Sequence, residues 1–214
     1  MLSTEDVLRG SAPFAVRRDV ITTPDGGEEF ARVVVEHPGA VVVMAVDDQE
    51  RALVLRQYRH PARRRFVEFP AGLLDEPEED PVAAARRELL EEGAIEAEEW
   101  THLSTLHSSP GISNERVEIY LARGLRDVPD RGGFALEHEE ADMTLHWVPV
   151  VDLLEAARGG RLTDAPVLVA LLTYAASYAG SHSASQSASQ SASQSTSQSG
   201  STGTAVPGIG AGGA

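Results

Sequence analysis

The sequence predicts an α/β sandwich, on three observations. Strand-length apolar runs alternate with helical stretches between residues 39 and 179. The run at 39–48 does not alternate in polarity, as a strand buried on both faces requires. Hydrophobic residues make up 42% of 214 positions, enough for one sizeable core, or a core plus a small extra sheet.

Residues 14–24 and 29–36 predict two strands joined by the turn Pro24-Asp25-Gly26-Gly27. A hairpin this small is not stable alone, so it must pack on the main domain or on a partner subunit. Asp47-Asp48-Gln49-Glu50 turns the buried strand into the next one, at 52–58. Arg59-His60-Pro61 then opens a basic loop, with Arg63, Arg64 and Arg65 behind it. In an acidic chain this is either a solvated turn or a phosphate clamp, because a guanidinium gives phosphate two parallel hydrogen bonds. A short strand at 66–69 leads into Pro70-Ala71-Gly72. A helix begins with Asp80 as N-cap and Pro81 at its first position, and Gly93 stops it. Strands follow at 99–106 and 116–122, separated by a small-residue polar loop at 107–115. A long acidic connection at 125–143 leads to a closing strand at 144–149 and helices at 151–157 and 165–179. From Gly180 the chain turns to Ser-Ala-Ser-Gln repeats and a Gly-rich end, with too few apolar groups to offset chain entropy. The expected organisation is a hairpin at 1–37, a main domain at 38–180 and a disordered tail at 181–214.

The helix at 81–93 carries the chemistry. At about 100° per residue, Glu88, Glu91 and Glu92 fall within an arc of about 100°. Ala84 and Ala85 lie on that face one turn earlier, which predicts open space beside the carboxylates. Three carboxylates on one turn repel each other, and a solvated acidic face is the plain explanation. A divalent cation reverses the argument: Mg²⁺ takes oxygen ligands, keeps several waters and is shared between carboxylates and substrate phosphates. The surrounding residues favour the cation. Gly72, Glu79, Arg87, Glu88, Leu89, Glu91 and Glu92 stand in an order that resembles the Nudix box. Two departures are visible. One extra residue separates Gly72 from Glu79, and Ala94 occupies the place of the closing glycine, with Gly93 just before it. The insertion falls in a loop, where it costs little.

Further residues narrow the resemblance. Glu68-Phe69-Pro70-Ala71-Gly72, Gln57-Tyr58-Arg59 and Ser109-Pro110-Gly111-Ile112-Ser113-Asn114-Glu115 resemble the ADP-ribose pyrophosphatases of that family, most closely the actinobacterial type. The resemblance implies a Nudix-type α/β/α sandwich with a mixed sheet, the box helix at one edge of that sheet. It also implies an N-terminal antiparallel hairpin or sheet exchanged in a homodimer. The implied activity is Mg²⁺-dependent hydrolysis of ADP-ribose to AMP and ribose 5-phosphate, with Mn²⁺ as the alternative metal. By the same resemblance Glu88, Glu91, Glu92 and the carbonyl of Ala71 hold metal, and Glu139 or Glu140 is the general base. Arg59 and Arg63 hold phosphate, Glu68 contacts the nucleoside side and Glu115 orients substrate. Arg87 is structural, paired with Glu79 or Glu91. Two other readings compete: a hydrolase for another nucleoside diphosphate derivative, and a non-catalytic domain that senses ADP-ribose.

Composition excludes several chemistries. There is no cysteine, hence no disulfide or thiolate metal site. All 18 cations are arginine, so no lysine is available as a nucleophile. A formal net charge of −15 opposes binding to nucleic-acid backbone. The histidines show no metal-like spacing, and Ser108 and Ser109 lack a His–Asp pattern. The acidic start lacks a secretion signal and no run reaches a membrane span, so a cytoplasmic location without membrane contact is expected.

Overall fold

The central strand is β4 (Ala40–Ala45), and its burial sets the architecture. The computed structural model describes residues 1–10, 13–76, 78–129 and 142–177. Val41, Val43 and Ala45 face one way and Val42 and Met44 the other, and all five are buried. β4 pairs in parallel with β9 (Val117–Asp127) and antiparallel with β7 (Ala71–Leu73). With β8 (Ile95–Leu106) on the far side of β9, the order β7-β4-β9-β8 makes a four-stranded mixed sheet. A second sheet is antiparallel, β10-β5-β6, built from β5 (Arg51–Arg59), β6 (Arg64–Glu68) and β10 (Thr144–Pro149). The described residues as far as Tyr174 form one compact unit, and it holds every strand and the site. The tail expected to be disordered lies outside the described residues.

Helix α1 (Pro81–Gly93) contacts all four strands of the mixed sheet. The resemblance implied a helix at the sheet edge; the helix instead crosses its face. Ala84, Ala85 and Leu89 are fully buried there against Val41, Val43, Leu53 and Ala122. This corrects the expectation of open space at Ala84 and Ala85. Their small side chains let the helix sit close on the sheet, and Glu88 and Glu92 are carried into the buried face with them. The Asp80 carboxylate accepts a hydrogen bond from Val82 N at 3.0 Å, a cap worth about 1 kcal/mol. At the other end Ala94, not Gly93, takes the left-handed conformation, with φ of 55°. A glycine there would avoid a cost of about 1 kcal/mol. Helix α2 (Val150–Arg158) follows β10, and residues 165–177 form α3.

The N-terminal element has three strands where the sequence reading had two. β2 (Ala15–Thr22) and β3 (Glu29–Glu36) form the expected hairpin, and β1 (Ser3–Arg9) pairs with β2. β1 is exposed along its whole length, so it carries no burial period to read. β3 is tied to the polar loop: Val35 N donates to Ile112 O at 2.8 Å, and Ser113 Oγ to Val35 O at 3.1 Å. β8 also starts earlier than expected. Glu96 and Glu98 hid the alternation, although Ile95 is buried and Ala97 packs on the core. No helix among the described residues is long and apolar enough to cross a membrane.

Candidate active site

A cleft of about 800 Å³ opens between the N-terminal half of the mixed sheet, α1, β6 and the start of α3. One wall is acidic. Glu88 and Glu91 line it together with Ala71, Gly72 and Arg87. The Glu88 carboxylate lies directly over Gly72: a Cβ on Gly72 would sit 2.0 Å from the carboxyl carbon. Gly72 is therefore needed for space rather than for its backbone angle. Glu92 is buried too, but its Oε2 accepts from Ala71 N at 2.9 Å and it is not part of the cleft wall. This bond ties α1 to the strand carrying Ala71 and Gly72.

Arg87 braces the acidic turn. It reaches Glu79 at 3.1 Å, Glu88 at 2.5 Å and Glu91 at 3.6 Å. The hydrogen bond to Glu79, and the charges of Glu88 and Glu79, raise the pKa of its guanidinium. Arg87 thus pairs with both of the partners between which sequence reading could not choose, and with Glu88 as well.

At the other end of the cleft Arg59 grips Glu68. Nε donates to both carboxylate oxygens at 3.0 and 3.2 Å, and Nη2 to Oε2 at 2.7 Å. Two residues expected to touch different parts of a ligand are thus an ion pair, with Glu68 only 6% exposed. Glu115 lines the cleft beside His37, whose Nε2 lies 3.8 Å from Oε1 of Glu115. Arg63 does not line it; it is exposed and ends a 3-10 turn in the left-handed conformation. Glu139 and Glu140 lie outside the described residues.

Sequence reasoning missed two cleft residues. His37 gave no signal. Asp164 did, as a capping residue followed by Ala165-Pro166 at the start of a helix. It lines the cleft, and its Oδ1 accepts from Val167 N at 3.0 Å. Burial pushes its carboxyl up to about 6; the Glu68 charge adds to the rise, while the Val167 N–H and Arg59 oppose it.

The acidic wall fits a divalent cation of one kind. Among the described residues no group of three His, Asp or Glu side chains is placed to hold an ion by itself. Mg²⁺ does not require such a cage, since it binds through one or two carboxylates plus waters and substrate phosphates. Two cleft carboxylates, Glu88 in the space left by Gly72 and Glu91 one turn on, match that mode.

A carboxylate-bearing helix at one end of a cleft and a held arginine at the other suit an enzyme that binds a phosphorylated substrate with a divalent ion. The chain belongs to the NUDIX family, whose domain matches residues 35–171. It is 41% identical to an ADP-ribose pyrophosphatase of Mycobacterium tuberculosis over 81% of this chain and 82% of that protein. It is 31% identical to a methanol dehydrogenase activator of Bacillus methanolicus, over 79% of this chain and 89% of that one. A solved structure of an ADP compounds hydrolase superposes with a TM-score of 0.68 at 22% identity, covering 84% of this chain and 94% of the other, and shares the fold.

Proposed function

We propose that this chain hydrolyses the diphosphate of ADP-ribose, giving AMP and ribose 5-phosphate, with Mg²⁺ held by the box helix. The observation that carries this reading is the Glu88 carboxylate lying over Gly72 on the wall of the cleft. The 41% identity to the mycobacterial ADP-ribose pyrophosphatase supports the substrate. Glu88 and Glu91 would hold the ion at the cleft. Glu92 would act mainly by fixing Ala71 through its N–H, so that the Ala71 carbonyl keeps its place near the ion. When bound, a divalent cation neutralises the diphosphate and lowers the pKa of a water.

The chain's own groups do the rest. Arg87 holds the helix carboxylates in position against their mutual repulsion. Arg59 brings positive charge to the cleft, and the grip of Glu68 fixes its orientation. Glu139 or Glu140 would take the proton of the attacking water. Incubation with ADP-ribose and Mg²⁺ should release AMP, and a chelator should abolish the release. Turnover of another nucleoside diphosphate derivative, but none of ADP-ribose, would sink the substrate and leave the fold and metal intact.

The N-terminal sheet supports a homodimer. Leu2, Val7, Leu8, Phe14 and Val33 expose half or more of their surface on this small element. Covering such residues with a second copy is a common way to bury them. Sedimentation equilibrium of the intact chain should give twice the chain mass, and a monomer at micromolar concentration would rule the exchange out.

A further inference from the structure

We propose that Asp164, together with Glu68, binds the hydroxyl groups of a ribose of the substrate and is a specificity-determining residue of this cleft. The proposal rests on the reading of the substrate given above. It begins from placement. Asp164 and Pro166 bring the start of α3 to the cleft that Arg59 and Glu68 also line. Oδ1 of Asp164 is committed to Val167 N, which leaves Oδ2 as the acceptor for the cleft.

Capping alone does not account for an acid at this place. Asn or Ser caps a helix about as well as Asp and brings no charge. Here the charge is partly buried, it faces a second carboxylate, and no ion pair to Asp164 forms among the described residues. Arg59, the cation that opposes its pKa shift, is held by Glu68 through three hydrogen bonds. Two carboxylates share one guanidinium at this corner, which leaves the second oxygen of Asp164 to accept from neutral donors. The ribose hydroxyls flanking a diphosphate are donors of that kind, and a carboxylate accepts from them strongly. The diphosphate then lies between this corner and the wall of Glu88 and Glu91, where the ion would be held.

Asp164→Asn tests the idea because Asn keeps the cap and puts an NH₂ where Oδ2 stood. The expected result is a KM for ADP-ribose raised about tenfold, the order conferred by one hydrogen bond to a charged group, with kcat within about twofold. Two analogues locate the contact: one lacks the 2′-hydroxyl of the adenosine ribose, the other the 2-hydroxyl of the terminal ribose. Wild type should discriminate against one of them, and Asp164→Asn should lose that discrimination.

Stability supplies a second readout. The folded-state pKa lies above the ordinary value of 3.8, so this group favours folding only at low pH, and the contribution is lost as pH rises through about 6. At pH 8 the Asn variant should therefore melt at a higher temperature than wild type, which separates a binding defect from a folding defect. An unchanged KM with an active wild type would overturn the proposal alone, as would unchanged discrimination on both analogues. A wild type inert on ADP-ribose would overturn the substrate reading and this proposal with it.

Discussion

Glu91→Gln is expected to lower kcat for ADP-ribose by about a hundredfold to a thousandfold while leaving the fold as stable as before. The magnitude is that of losing one group that stabilises charge at the transition state in a protected site. Glu91 is the suitable choice among the three carboxylates. It lines the cleft, and its side chain keeps 23% of its surface exposed, so Gln replaces it without a buried mismatch. Its ion pair to Arg87 is long, at 3.6 Å, and only half-buried, so it contributes little to stability. Removing one of three neighbouring negative charges also relieves repulsion. The Mg²⁺ concentration for half-maximal rate should rise with the loss of kcat, and the melting temperature should stay within a few degrees. Full activity with an unchanged Mg²⁺ requirement would end the case for a metal at this helix. It would favour a domain that binds its ligand without catalysis.

Gly72→Ala is expected to be nearly as damaging to activity, for a steric reason. The added methyl would lie 2.0 Å from both the carboxyl carbon and Oε1 of Glu88, well inside contact distance. Something must move. The backbone of Gly72 is paired with Val41 in the mixed sheet and cannot give way easily. The Glu88 carboxyl is the end of a flexible side chain, so it is the part displaced. The protein should therefore fold, with a loss of at most about 1–3 kcal/mol from crowding a packed site. The rate should fall about a hundredfold, because a ligand forced aside no longer meets the substrate. Circular dichroism and melting would verify the fold, and a rate within threefold of wild type would show that the Glu88 position is not needed. Restoring space at the same site offers a control: Glu88→Asp in the Gly72→Ala background shortens the clashing side chain and should recover part of the rate.

The two substitutions differ in how readable they were beforehand. Spacing put the glutamates on one helix face, because a helix places residues three and four apart together, and the resemblance made that face a candidate metal site. The N-cap, the helix and its first residue followed from the same local rules, and Asp80 and Pro81 stand where those rules put them. The resemblance marked Gly72 but gave no reason for it. The reason is a contact between residues sixteen positions apart, which no local pattern contains. Ala84 and Ala85 show the opposite failure. Their place on the acidic face was read correctly, yet that face turned out to be the packed one, because only the sheet beneath decides which side of a helix is covered.

What the sequence determined by itself was therefore whatever depends on neighbours along the chain. That includes the strands with apolar runs, the caps, the acidic turn of α1 and the family to which they belong. Only the tertiary structure decided the partnerships across the fold: Arg59 with Glu68, Glu92 with the Ala71 N–H, and Asp164 at the cleft. Local preference comes from the geometry of one element, whereas a site is made where several elements meet. Long-range packing chooses that meeting place by burying apolar surface, and a one-dimensional pattern does not record which polar groups it brings along.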